Sequence, residues 1–438
     1  MMCQLYNWMT TPRKAPRTCY NNFVMIQPMK LYPYQQTALN AIQQHNKGVV
    51  VIPTGGGKTI VMMEDVKGKL LASTLPLTVV IVCPRIMLAT QLCSEFEEYL
   101  KEFSISISHV HSGETHYHST TSPGNLKAQS AIVKALNHHH FIFTTYNSLK
   151  RVNESGITLD VVYFDEAHHC VKQSNFVGVA QTSASSNSAY FFTATPRVNN
   201  TPQSMNNTDV YGQKIVSIPA QELIDVGSII PPQVEVFEHN HTRTKFNAAY
   251  VDSENVIDIL SSFDETGAHK VLVAAPSTKV IWEMVSQSDA LQRLNEMGYE
   301  VMHITSKHGA YIGKKKVSRE VFFDTLTDYG NDPDKKFVLM HYSILSEGMN
   351  VSGLTHCIVL RNLPMIEMCQ TIGRVVRMHR DDRKAIIDGK IAAGQFQFYK
   401  KPYGKMIVPV NQGLGKNILR QLQNVVDAVF VKGEFTAT

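Results

Sequence analysis

The sequence predicts an α/β protein of two tandem domains, each a parallel sheet covered by helices, with a short C-terminal helical extension. Three features of the 438 residues carry that expectation. Short apolar runs recur without polar alternation, as strands buried on both faces require. The intervals between them leave room for crossover helices. A stretch over roughly 197–235, with Pro202, Pro219, Pro231 and Pro232 among Asn, Ser and Gln, divides the runs into two groups and reads as a linker.

The first group holds VVVIP (49–53), TVVIVCP (78–84), FIFTTY (141–146), VVYFDEAH (161–168) and YFFTATP (190–196). The second holds KVLVAAP (270–276), FVLMHY (337–342) and HCIVL (356–360). Helices are expected from Thr59 and through RIMLATQLCSEFEEYL after Pro84. The expected boundaries are an extension over 1–30, domains over 31–225 and 226–400, and a C-terminal extension over 401–438. In that extension Ile418, Leu422, Val425, Val426 and Val429 recur at helical spacing. The segment RMHRDDRKAIIDG…FQFYKKPYGKMIVPV, rich in Lys, Arg and aromatics, reads as a hairpin that is either solvated or in touch with nucleic acid.

Composition narrows the function classes. Hydrophobic residues make up 43% and charged residues 18%, as in an ordinary globular protein. A net charge of +5 permits a nucleic-acid partner without requiring one. The seven cysteines form no C-x-x-C pair, which argues against a disulfide framework or a cysteine metal knuckle. No apolar run reaches the roughly 20 residues that span a bilayer, so no membrane partner is expected. The opening segment carries Arg13, Lys14 and Arg17 and no acidic residue before Glu64. It reads as a basic tail or a targeting peptide, and localisation stays open.

The candidate chemistry sits where the runs end, at the carboxyl ends of parallel strands. After VVVIP come Thr54, Gly55, Gly56, Gly57, Lys58 and Thr59, a turn whose backbone N–H groups can converge on phosphate. Lys58 is placed to reach terminal phosphates and Thr59 to hold Mg²⁺. Ile52 stands where the strict P-loop has a further glycine. VVYF runs into Asp165 and Glu166, a costly pair after a buried strand unless a cation shares the site. Asp165 then holds the metal and Glu166 orients and deprotonates the attacking water; an exposed acidic turn is the alternative. Thr193 and Thr195 either bond these carboxylates or form a plain capping turn. Arg374 and Arg377, three apart after Gln370, are expected on one helix face. They act there as arginine fingers or as a solvated basic surface.

As an ordered set these pieces resemble a superfamily 2 helicase or translocase with the DEAH spelling, over roughly residues 31–380. LYPYQQTAL is similar to the adenine-reading motif, with Gln35 as its glutamine and Tyr32 where an arginine is often found. PTGGGKT is similar to the family's A-x-T-G-x-G-K-T form. CPRIMLATQ and TTYNSL resemble strand-binding motifs, which implies nucleic-acid contacts at Pro84, Arg85, Thr144, Thr145 and Tyr146. LSEGMNV resembles motif V, implying that Ser346, Glu347 and Gly348 link the track to ATP, with Asn350 where many relatives have Asp. QTIGRVVR supplies Gln370, Gly373, Arg374 and Arg377 of motif VI. The resemblance implies two RecA-like domains that hydrolyse ATP with Mg²⁺ in the cleft between them and ratchet along a strand.

DNA is the expected track, in replication, recombination or repair, because the spellings are most similar to phage and repair-type members. An RNA helicase, or the motor subunit of a restriction or nuclease complex, is the alternative. Histidines 109, 111, 116, 118 and 138–140 cluster in sequence, but neighbours in a strand point to opposite faces. They read as a polar lead-in to FIFTTY rather than a metal site.

Overall fold

The computed structural model describes residues 31–113, 115, 117–264, 267–305, 307–342, 351, 353–410 and 415–431. The expected 1–30 extension, and the motif V residues Ser346, Glu347, Gly348 and Asn350, lie outside the described residues.

Two eight-stranded sheets organise the described chain. The first contains β1 (Lys47–Val51), β2 (Thr78–Cys83), β3 (Ile105–Val110), β4 (His118–Ser119), β5 (His139–Thr145), β6 (Leu159–Phe164), β7 (Ser186–Thr193) and β8 (Gln213–Ser217). Their spatial order is 4-3-5-2-6-7-1-8, and every pairing is parallel. The second contains β9 (Pro232–Glu238), β10 (Lys270–Ala274), β11 (Tyr299–Thr305), β12 (Gly309–Ile312), β13 (Lys315–Val317), β14 (Lys336–His341), β15 (His356–Val359) and β16 (Gly404–Val410). Its order is 13-12-11-14-10-15-16-9, parallel except where β12 and β13 fold back as a hairpin. Each expected apolar run is a strand. β2 is buried throughout, as is β10, because helices cover both faces.

The expected linker is sheet as well as connection. Gln213–Ser217 pairs with β1 at one edge, and Pro232–Glu238 pairs with β16 at the edge of the other sheet. An edge strand tolerates polar residues and an initial proline, so its composition resembles a loop. The 401–438 segment does not stand apart either. Gly404–Val410 lies between β15 and β9, with Met406 and Val408 fully buried. The expected basic hairpin is a helix, Arg380–Ile387, followed by this strand. Buried Asp382 fixes the join by accepting from the backbone N–H groups of Lys400 and Lys401. The C-terminal helix Lys416–Val425 buries Ile418, Leu422 and Val425 as its periodicity predicts, and Gln421 donates to the Leu363 carbonyl.

Candidate nucleotide and nucleic-acid site

Parallel register brings three turns together. Val51 of β1 is level with Thr193 of β7, and Phe164 of β6 is level with Val82 of β2. The glycine turn, the Asp-Glu turn and the Thr-Ala-Thr turn therefore open at one end of the sheet.

The glycine turn is built for an anion. Gly55 and Gly57 adopt left-handed φ of 88° and 74°, which side chains disfavour. Gly57 precedes the helix Lys58–Ala72 and offers no side-chain cap, so the first N–H groups of that helix lack a protein partner along its axis. From below, Tyr34 and Gln35 hold the turn, donating to the Gly56 carbonyl at 3.0 and 3.1 Å. Gln35 also accepts from the Tyr32 N–H at 3.0 Å. The Tyr34 hydroxyl meets Ser228 at 2.8 Å, tying the turn to the segment that leads into the second sheet.

The carboxylates are buried beside it. Asp165 and Glu166 are each 7% exposed, and Glu166 itself takes a left-handed φ of 47°. That conformation costs energy and is retained only where surroundings enforce it. Tyr146 donates to the Asp165 carbonyl at 2.8 Å. Burial first, and then the adjacent Glu166 carboxylate, push the Asp165 carboxyl up to about 7, against the pull of Lys58. Lys58 Nζ lies 3.8 Å from Glu166 Oε1.

The Thr193 hydroxyl does not bond either carboxylate directly. It accepts from the Thr195 N–H at 3.1 Å and meets His168 Nδ1 at 3.3 Å, and His168 Nδ1 is 3.4 Å from Glu166 Oε2. His168 Nδ1 thus lies between the Thr193 hydroxyl and Glu166 Oε2, close to both, without a hydrogen bond to that Glu166 oxygen. Sequence reasoning did not single out His168, although it closes the same Asp-Glu-Ala-His run.

The second sheet contributes the helix Met365–Val375. A Cβ on Gly373 would lie 2.4 Å from Thr54 Cβ, so the helix rests directly on the glycine turn. Gln370 and Arg374 are 6% and 4% exposed. Desolvation and then neighbouring Arg377 lower Arg374 to about 9, while Glu166 across the cleft opposes the shift. The two arginines do not share one helix face. The helix ends at Val375, and Arg377 continues in extended pairing with Ile229. Arg377 is desolvated too, with Glu95 of the first domain opposing the fall in its pKa. Buried Lys401 donates to the Arg377 carbonyl at 2.8 Å.

Of the expected strand contacts, Pro84 and Arg85 follow β2 at the surface, where extended Arg85 precedes the helix Ile86–Tyr99. Thr144 is fully buried and donates to the Val110 carbonyl at 2.9 Å, inside the sheet; Thr145 is 6% exposed at the strand end. The histidines pair locally: His109 meets His111 at 3.0 Å, and His140 meets Ser108 at 2.7 Å. Among the described residues no three His, Cys, Asp or Glu side chains converge as metal ligands.

Three polar atoms at the cleft are buried without a hydrogen-bond partner: Thr54 Oγ1, Glu166 Oε2 and Gln370 Nε2. Such atoms cost about 1–3 kcal/mol each. A polyphosphate with its cation supplies acceptors and a charge that suit this set. Cavities of ≈ 380 and ≈ 330 Å³ lie in the second domain, away from the turn.

Residues 28–198 match the family model described as type III restriction enzyme, res subunit. Over that stretch, which is less than half of the chain, the first domain is similar to a superfamily 2 helicase-like domain. That similarity implies ATP binding. Solved structures with the same fold include the ATP-dependent Type ISP restriction-modification enzyme LlaBIII bound to DNA. It is 16% identical with a TM-score of 0.67, over 96% of this chain and 31% of that one. A nuclease-deletion mutant of the Type ISP enzyme LlaGI with a DNA substrate mimic is 18% identical, TM-score 0.62, over 91% and 29%. The Mycobacterium smegmatis helicase Lhr bound to ssDNA and AMP-PNP is 16% identical, TM-score 0.54, over 86% and 45%. The chain thus spans less than half the length of each, and at these identities the likeness is one of fold: two RecA-like domains in tandem. No curated protein matches the chain. Among the described residues no helix is long and apolar enough to cross a membrane.

Proposed function

We propose that the chain is an ATP-driven DNA translocase of the DEAH kind, a motor like those built into restriction–modification machines. The observation that carries the reading is the contact of Gly373 from one domain with Thr54 in the glycine turn of the other, beside Arg374, whose charge Glu166 favours across the cleft. Opening and closing of such a contact is how hydrolysis becomes movement.

Mg·ATP, when bound, supplies the phosphoryl group and the cation that the buried carboxylates lack. The N–H groups of Gly55 and Gly57 and the Lys58 ammonium would bind phosphate oxygens, Lys58 leaving Glu166 to do so, while the Gly56 N–H donates to the Pro53 carbonyl and holds the turn. Gln35 reads the adenine edge from its place beneath the turn. Thr59 and Asp165 hold the metal. Glu166, freed of Lys58, takes the proton of the attacking water. Arg374 and Arg377 stabilise the charge that develops, and their partial desolvation strengthens that field. Thr193 and Thr195, with His168 beside Glu166, couple the nucleotide's state to the strand contacts. Pro84, Arg85 and Thr145 touch the strand, with Ser346, Glu347 and Gly348 assigned to the second domain's share.

The Type ISP likenesses support a motor within a larger restriction assembly. A helicase in replication, recombination or repair is the second reading, favoured by the likeness to Lhr. The test is ATP hydrolysis by the purified chain, alone and with single-stranded DNA, duplex DNA or RNA, with Lys58→Ala as control. Duplex stimulation with displacement of a bound third strand supports translocation. Strand separation supports the helicase, and stimulation by RNA alone overturns the DNA assignment.

A further inference from the structure

The hairpin at the open edge of the second sheet carries a concentration of charge that the cleft does not use. Between residues 307 and 319 lie Lys307, Lys314, Lys315, Lys316 and Arg319 and no carboxylate. Those five cations equal the formal net charge of the whole chain, +5. All five are exposed. Among the described residues none of them forms an ion pair; Glu300, in the neighbouring strand, comes near the backbone of Gly313 instead.

The hairpin is braced, so its charge is displayed on a fixed ribbon. Trp282, on the helix Thr278–Ser286, stacks on His308 at 4.4 Å with the rings 6° apart. Tyr311 stacks on His303 of β11 at 4.9 Å and 9°, and meets the Trp282 ring edge-on at 5.7 Å. In the antiparallel register His303 faces Tyr311, and Tyr311 faces Lys316, which sets all three on one side of the ribbon. Gly309 and Gly313 turn the chain with left-handed φ of 88° and 55°. The Lys307–His308 turn sits at the carboxyl end of β11, level with the ends of β14 and β10.

Lysines also protect open sheet edges from pairing with other chains, and β13 is an edge strand. That role covers Lys315 and Lys316 but not Lys307 in the far turn. Nor does it cover Arg319, at the first position of the helix Arg319–Asn331, where the helix dipole disfavours a cation. An external polyanion accounts for all five together.

We propose that the hairpin Lys307–Val317, with Arg319, is a backbone-phosphate contact that holds the nucleic-acid track on the second domain. The inference rests on the motor reading above. Its ligand is the sugar–phosphate backbone, single- or double-stranded, bound without base readout.

The test is binding of labelled single-stranded DNA, duplex DNA and RNA by the full chain across a salt series. Wild type is compared with Lys314→Ala/Lys315→Ala/Lys316→Ala. Losing three phosphate contacts lowers the slope of log affinity against log salt by about 2 on single strands and about 3 on duplex. Affinity near 0.1 M salt falls on the order of 10²-fold. Lys→Arg at the same three positions restores both. An unchanged slope in the folded triple variant overturns the inference and leaves the motor reading intact. Self-association with an unchanged slope does the same, and assigns the lysines to edge protection. If self-association obscures the triple variant's slope, Lys307→Ala/Arg319→Ala, off the edge strand, decides: its slope falls by about 1.4 on single strands and about 1.8 on duplex, or the inference fails. A wild type that binds none of the three nucleic acids sinks the motor reading and this contact together.

Discussion

The turn after β1 and the turn after β10 both carry a buried parallel strand into a helix, yet they end differently. After β10, Ser277 takes the N-cap position, and its hydroxyl accepts from the Val280 N–H at 3.1 Å. The helix Thr278–Ser286 thereby satisfies one of its own orphan donors. After β1 the same position is Gly57, left-handed and without a side chain, and the donors are left for something from outside. Around Gly57 the structure adds half-buried Lys58, two buried carboxylates and Arg374 from the opposite domain; around Ser277 it adds none of these. One fold therefore yields a structural turn where a serine closes the helix and a binding turn where glycine leaves it open.

Substitutions sharpen that contrast, beginning with the largest effect. Arg374→Ala removes the charge that faces the open turn, and nucleic-acid-stimulated turnover is expected to fall about 10³-fold or more. Nucleotide binding measured separately should persist; loss of binding with normal turnover per bound nucleotide would contradict the role. Gly57→Ala comes next. Its Cβ would lie 2.6 Å from Gln35 Nε2 in a backbone conformation alanine resists, so nucleotide affinity should drop about tenfold or more in equilibrium binding. Wild-type affinity in this variant would mean that the turn does not cradle phosphate.

Asp165 gives a pH signature. Its folded pKa of about 7 lies above its ordinary 3.8, so between those values the folded state binds more protons than the unfolded. This group therefore makes the nucleotide-free chain less stable as pH rises from about 4 to 7. Burial lowers His109, His341 and His356 to about 3, which slopes the other way. The measurement is thus the difference between wild type and Asp165→Asn in denaturant titrations, and it should grow in the variant's favour with pH. A constant difference would show that Asp165 is ionised throughout. Smallest is Ser277→Ala, which should cost about 1 kcal/mol, seen as a Tm lower by about 2 °C, with nucleotide affinity untouched.

The same contrast explains what could be read from the chain without coordinates. Runs such as TVVIVC and KVLVA announce strands buried on both faces, and the glycine, Asp-Glu and arginine pieces sit at their ends in order. β8, β9 and the β12–β13 hairpin escaped because edge strands keep polar residues such as Gln213, Lys214 and Lys315. Tyr34 beneath the glycine turn escaped for another reason: its partner Ser228 is 194 residues away. His168 lay within the run already marked, but its bond to Thr193 exists only because β6 and β7 are neighbours. The end of the helix at Val375, which sends Arg377 into pairing with Ile229, also has no local signal.

That pairing has a mechanical consequence. The helix Ala220–Asp225 belongs to the first domain, where Leu223 packs under Gly56, and β9 belongs to the second from Pro232 onward. Between them run six residues, Val226 to Pro231, of which Ile229 and Ile230 are clasped to Arg377 and Val376. Fully drawn out, six residues reach roughly 20 Å. The covalent leash thus sets a ceiling on the stroke: the ends it joins can separate by no more than that length. To use any of it, the protein must first undo the clasp that keeps Arg377 at its station.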